Sequence, residues 1–195
     1  MSALVHPSYV GSPAADVLIP QDAVIIGGTR LLYEFFHAVS LETNGQLALC
    51  TPFIDEAFTA TSSVWAEMRH EQIDLRVLTK GRRDAWNAWS ALRAFRWRSA
   101  EIWQCRNLHA KVYSFISSGS GFALVGSHNL TRQGLAVNME AGVLFKAPTP
   151  LSELMSPVVA CQEYINRLVQ QSRPFADTNR WPRPNELDGQ EDNRE

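Results

Sequence analysis

The chain has 195 residues, 45% of them hydrophobic and 19% charged, which suits one ordinary globular domain that buries a core without disulfide or metal staples. Its formal charge of −2 excludes a uniformly basic or acidic polyelectrolyte. No apolar run approaches the roughly 20 residues of a membrane-spanning helix, and MSALVHPSYVGSPAADVLIP has no basic, continuously apolar leader, so a cytoplasmic protein without membrane contact is expected.

Residues 1-22 are rich in Pro and Ser and read as an extended lead-in, followed by the strand-sized apolar triplet Val24-Ile25-Ile26. From Thr29 to about Ser40, Leu31, Leu32, Phe35, Phe36 and Val39 recur at helical spacing, and Asn44-Gly45 stops the pattern. Gln46 to Phe53 predicts a buried strand ended by Pro52. Asp55 is placed to cap a helix running to about His70, with Phe58, Trp65 and Met68 inward. Ile73, Leu75 and Val77 alternate with polar residues, a strand ending at Lys80-Gly81. Asp84 would cap a helix over 85-97. Strands follow at 100-105, 108-116, 121-126 and 139-146, the middle two joined by Ser117-Ser118-Gly119-Ser120-Gly121. Leu154, Val158, Cys161, Ile165 and Leu168 mark a last helix over about 151-171. Residues 172-195, with three prolines and an acidic end, read as a loosely attached tail.

Strands alternate with helices early and run together late. This predicts an α/β domain over 23-171: a mixed sheet with helices on both faces. Cys50, Cys105 and Cys161 are odd in number and lack CxxC spacing, which fits buried thiols better than a metal centre.

Charge is unevenly spread. Residues 76-111 hold nine bases against two acids, a local charge of +7, together with four of the six tryptophans. Basic residues interleaved with aromatics suit a polyanion whose bases can stack, although a solvated helix face over core tryptophans would have the same composition.

The chemistry concentrates further on. His109-Ala110-Lys111 falls on a predicted strand, where alternation puts His109 and Lys111 on one face. Fifteen residues past Lys111, Gly126-Ser127-His128-Asn129 ends the next strand, with small residues that permit a sharp turn. A nucleophile, a cation and two neutral hydrogen-bonding side chains thus converge, a set suited to attack on an anionic phosphorus centre.

HxK followed by GSxN on adjacent strands resembles the HKD motif of the phospholipase D superfamily, specifically its single-motif, nuclease-like branch. Asn138-Met139-Glu140 adds an acidic residue opening a strand, as in that family. The resemblance is strong over about half the chain, and the element order of 46-146 matches the family's half-domain. Two departures stand out: Ile116 replaces the Asp expected five residues after Lys111, and the gap from HxK to GS is three residues longer than usual.

The resemblance implies that His109 attacks phosphorus to form a phosphohistidine, while Lys111 and Asn129 hold the non-bridging oxygens. Ser127 would donate a further hydrogen bond to phosphate. Glu140 would accept from the histidine's other ring nitrogen, unless it is an ordinary surface carboxylate. His128 fills the variable position and modulates at most. No metal or other cofactor is required. One motif supplies one histidine, and the missing acid-base group is expected from a second copy, giving a homodimer with one shared active site.

Nucleic acid is the expected substrate, DNA before RNA. The basic block precedes the HxK segment, and Lys80, Arg82 and Arg83 end a strand at the expected active-site edge, where they would bind phosphates. Compact single-motif members of this superfamily are mostly nucleases, including restriction and phage-defence components, so other defence proteins are candidate partners. Two competing readings are a non-cleaving nucleic-acid-binding subunit of a larger assembly and a small lipid hydrolase of the phospholipase D type.

Overall fold

A computed structural model describes residues 22–55, 72–80, 91–92, 94–95 and 99–175. The described chain forms β1 (Ala23–Gly27), α1 (Arg30–Ser40), β2 (Gly45–Cys50), β3 (Ile73–Thr79), β4 (Glu101–Gln104), β5 (Val112–Ile116), β6 (Gly121–Gly126), β7 (Gly142–Ala147), α2 (Met155–Gln170) and β8 (Arg173–Pro174). The eight strands make one mixed sheet in the order β1-β7-β6-β5-β2-β3-β4-β8. β2, β3 and β4 run parallel, and the remaining neighbours are antiparallel.

Alternation along β2 splits the core between the two faces. Leu47 and Leu49 join Leu31, Leu32, Phe35, Phe36 and Val39 of α1 in the larger cluster. Ala48 and Cys50 point the other way, against Ile165 and Val169 of α2. The sheet is therefore covered by helices on both faces, as the element order predicts. Helix α1 follows its apolar spacing to within a residue, and Gly45 turns the chain into β2 at φ +146°. A Cβ there would lie 2.6 Å from the Phe115 ring, so the glycine is required for close packing as well as for the turn.

Several predicted boundaries move. The strand expected over 108-116 begins only at Val112, because its neighbour β2 stops at Cys50 and Pro52 has no N–H to continue the ladder. Residues 139-141 are likewise outside β7, and α2 begins at Met155 rather than near 151. Arg173–Pro174, expected in a loose tail, instead pair with Trp103 and Gln104, and the Phe175 N–H donates to the Ile102 carbonyl at 2.9 Å. Half-buried Phe175 packs on the main core, an apolar anchor outweighing the polar sequence around it.

The helix predicted from Asp55 to His70 lies, apart from Asp55, outside the described residues. So does most of the 85-97 helix, including Asp84; its residues Ala91, Leu92, Ala94 and Phe95 are helical, with Ala91, Leu92 and Phe95 buried. The chain beyond Phe175 and the lead-in before Asp22 are also outside.

Ile116 stands where an Asp was expected. It is half-buried and packs against the cluster of Ala123, Ala147 and Val158, an apolar setting that would penalise a carboxylate. The turn after it is held by a different carboxylate: Ser120 Oγ donates to Glu42 at 2.6 Å and Ser117 Oγ at 3.4 Å. The longer connection is thus built into the fold by hydrogen bonds from outside the motif.

Candidate active site

Strand directions gather the candidate residues at one edge. The carboxyl ends of β1, β2, β3, β4 and β6 and the amino ends of β5 and β7 all open there. Lys80 follows β3, His109 and Lys111 precede β5, Ser127 and Asn129 follow β6, and Glu140 precedes β7. Residues far apart in sequence therefore share one rim because the sheet alternates direction around β5.

His109, Lys111 and Ser127 line a single pocket of about 520 Å³ with Val112, Val125, Ala160 and Tyr164. His109 is exposed, and Lys111 is half-buried, with its ammonium donating to the His109 carbonyl at 3.1 Å. Histidine and ammonium thus border one open space, as their two-residue spacing predicts, although both precede the regular strand. The Gly126 N–H donates to the Lys111 carbonyl at 3.2 Å, which ties the HxK segment to the GSHN turn.

Asn129 lies beside β2 rather than on the wall of that pocket. The Thr51 hydroxyl donates to Asn129 Oδ1 at 3.3 Å, leaving the amide NH₂ available for an anionic oxygen. The segment after β2 is drawn alongside by a parallel bridge between Ile54 and Leu130, and the Arg132 N–H donates to Asp55 Oδ2 at 2.8 Å. Asp55 thus has a role at this edge, as a brace for the turn following Asn129.

Glu140 departs from expectation. Its carboxylate accepts from the Ser127 hydroxyl and from Asn138 Nδ2, the latter at 3.1 Å. The hydrogen bond expected between Glu140 and the His109 imidazole is not formed among the described residues. Ser127 is correspondingly committed: its hydroxyl donates to Glu140 while its oxygen accepts the Ala141 N–H at 3.0 Å. Phosphate would have to draw that proton from Glu140 to use Ser127 as a donor. The short span from Ser127 to Ala141 across β6 and β7 explains the pairing, since both residues leave the same ladder together.

His128 was assigned little from sequence, yet it is fully buried. Its Nε2 donates to the Gly28 carbonyl at 3.0 Å, while Nδ1 has no partner among the described residues. Tyr113 OH donates to the His128 carbonyl at 2.7 Å. Burial pushes the Tyr113 phenol above the usual tyrosine range, which keeps it a donor. Gly126 and Gly142 face each other in the ladder, and a Cβ on Gly126 would lie 2.9 Å from His128 Nδ1. The imidazole therefore fills space left by two glycines and fastens the end of β1 to the GSHN turn. The glycine pair is a readable signal for a buried side chain at position 128. Thr51 could have been found only by knowing that β2 adjoins β5.

His128→Ala is expected to destabilise the fold by about 2–4 kcal/mol, because it leaves a cavity in place of a fully buried imidazole and removes the hydrogen bond from that ring to the Gly28 carbonyl. Urea unfolding followed by circular dichroism measures this; an unchanged midpoint would refute the fastening role.

Of the predicted phosphate-binding trio, only Lys80 is described. It is half-buried beside the Phe53 ring, 5.8 Å from its centroid, and its N–H donates to the Pro52 carbonyl. Arg82 and Arg83 lie outside the described residues, as do Arg93, Arg96, Arg98, Trp86, Trp89 and Trp97 of the basic block. No helix among the described residues is long and apolar enough to cross a membrane.

Known proteins agree with this architecture. Residues 42–160 match the family model described as "Cardiolipin synthase, PLD-like domain". Nuc of Salmonella typhimurium, a phospholipase D family member, superposes with a TM-score of 0.59 at 13% identity, covering 80% of this chain and 100% of its own. NucT of Helicobacter pylori gives the same TM-score and coverage at 10% identity. The phosphatidylserine synthase of Haemophilus influenzae reaches 0.53 at 17% identity, over 84% of this chain and 42% of its own. No curated protein sequence matches. At such identities the structural likenesses establish the fold, and the family model spans more than half of the chain: it belongs to the phospholipase D-like family.

Proposed function

We propose that this protein is a metal-independent phosphodiesterase that cleaves nucleic acid through a phosphohistidine, with His109 as nucleophile. The observation that carries the reading is the single pocket bordered by His109, Lys111 and Ser127, with the Asn129 amide nearby on the same rim. An imidazole nitrogen attacks phosphorus and the P–O bond to the leaving group breaks. The Lys111 ammonium and the Asn129 NH₂ stabilise charge on the non-bridging oxygens. Water then displaces the imidazole, returning His109 and releasing a phosphomonoester. A second copy's His109 serves as the acid that protonates the leaving oxygen and the base that activates water.

Nucleic acid is favoured over lipid by the basic, tryptophan-rich stretch that leads into this edge. Family membership supports phosphodiester chemistry in general, and the fold is shared by the DNA-binding archaeal chromatin protein TrmBL2, at 10% identity and a TM-score of 0.50. DNA is the preferred polymer, and restriction or phage defence, alongside other defence proteins, is the proposed setting.

Purified protein incubated with plasmid, single-stranded DNA and RNA should cleave at least one of them, and activity should persist in excess EDTA. Lys111 already supplies the positive charge that a metal would bring to the phosphate. A strict requirement for Mg²⁺ or Zn²⁺ would overturn the phosphohistidine scheme, and binding without cleavage would favour a non-catalytic subunit.

A further inference from the structure

The pocket beside the reactive groups is larger and more apolar than a phosphate needs. His109, Lys111 and Ser127 form its polar end. The rest is Ala110, Val112, Val125 and Gly126 from the sheet edge and Ala160, Cys161 and Tyr164 from α2. Val125 and Tyr164 remain 39% and 37% exposed, so apolar surface lies open right beside the candidate nucleophile. Of the lining side chains, Tyr164 alone has a flat hydrocarbon ring. Its placement follows from helical spacing: Ala160, Cys161 and Tyr164 share one face of α2, at i, i+1 and i+4.

A polar end that holds phosphate and an apolar end with an aromatic ring match one nucleotide. Its anionic phosphate would lie at His109 and Lys111, and its flat base would cover Tyr164, Val112 and Val125. The volume of about 520 Å³ lies within the range of small-ligand pockets, and is short for the paired acyl chains of a phospholipid. Base-on-aromatic stacking tolerates any sequence, because every base presents a flat π face. Resting on the nuclease reading above, we propose that this pocket is a nucleobase subsite, in which the base adjoining the scissile phosphate stacks on Tyr164. The site then selects polynucleotides over other phosphodiesters without reading sequence.

The test uses a single-stranded oligonucleotide carrying one abasic residue, with cleavage mapped phosphate by phosphate. Wild type should cut the phosphate beside the abasic residue about tenfold more slowly than the same phosphate in the base-bearing strand. Tyr164→Ala should bring that ratio close to one, and Tyr164→Phe should retain it. A ratio near one in wild type, or one unchanged in Tyr164→Ala, would overturn the subsite while leaving the nuclease intact. Faster hydrolysis of phosphatidylglycerol vesicles than of DNA, lost in Tyr164→Ala, would make the pocket an acyl site. If no polynucleotide is cut, the nuclease reading fails, and binding decides separately on the subsite. Fluorescence anisotropy with His109→Ala should show labelled oligo-dT bound more tightly than an abasic strand of equal length. Equal affinities would overturn the subsite.

Discussion

Replacing His109 with alanine should abolish phosphodiester cleavage, leaving less than about 1% of wild-type activity, with folding and nucleic-acid binding retained. Two features set the size of this effect. The proposed pathway runs through a covalent bond to the imidazole, and removing a group that forms the intermediate typically costs several orders of magnitude. The side chain is also exposed on the pocket wall, with no side-chain hydrogen bond among the described residues, so its loss leaves no buried group unpaired. The contrast with His128 is useful. One histidine is exposed at the reactive edge, while the other, nineteen residues on, is buried and bonded to Gly28. His109→Ala should therefore remove activity without shifting the unfolding midpoint, and His128→Ala should shift the midpoint. Activity above about 1% in well-folded His109→Ala would mean that another group attacks phosphorus. Acid-labile, base-stable labelling of wild-type protein after rapid quenching would identify the phosphohistidine directly.

Local pattern made much of this molecule legible in its sequence. Helix α1 is visible because five core residues recur at 3.6-residue spacing between two turn signals, and β6 because an apolar run lies between two glycines. The candidate site was legible for the same reason: HxK and GSxN are short, and each lies next to a strand in the same hairpin. The rest depends on contacts between distant segments. The start of β5 is set by where β2 stops, some 60 residues earlier, and the attachment of Arg173–Pro174 by the free edge of β4. Partner choice at the site follows the same rule. Family resemblance names Glu140 as a partner for His109, yet the β6–β7 ladder brings Ser127 beside it first. Thr51 and Gly28, which orient Asn129 and His128, carry no local signal at all.

That unformed bond to Glu140 sharpens the need for a second histidine. Forming a phosphohistidine and then hydrolysing it requires a nucleophile and a separate group that gives up a proton and later takes one. Glu140 is a poor candidate for that second role, since its two oxygens already accept from Ser127 and Asn138. Tyr113 is no better: its phenol is fully buried, held protonated by burial and bonded to the His128 carbonyl. Lys111 is occupied with charge. A twofold axis through the rim would bring a second His109 across the phosphate and double Lys111 and Asn129 around it, with no additional sequence. Light scattering should accordingly give a mass about twice that of the 21.8 kDa chain. Wild-type chains mixed and reannealed with excess His109→Ala chains should lose activity in proportion to the wild-type chains captured in mixed dimers. Heterodimers should turn over less than about 1% as fast as wild type, because each lacks one of the two imidazoles. A monomer with full activity at assay concentration would overturn this arrangement and direct the search for the second acid to one chain.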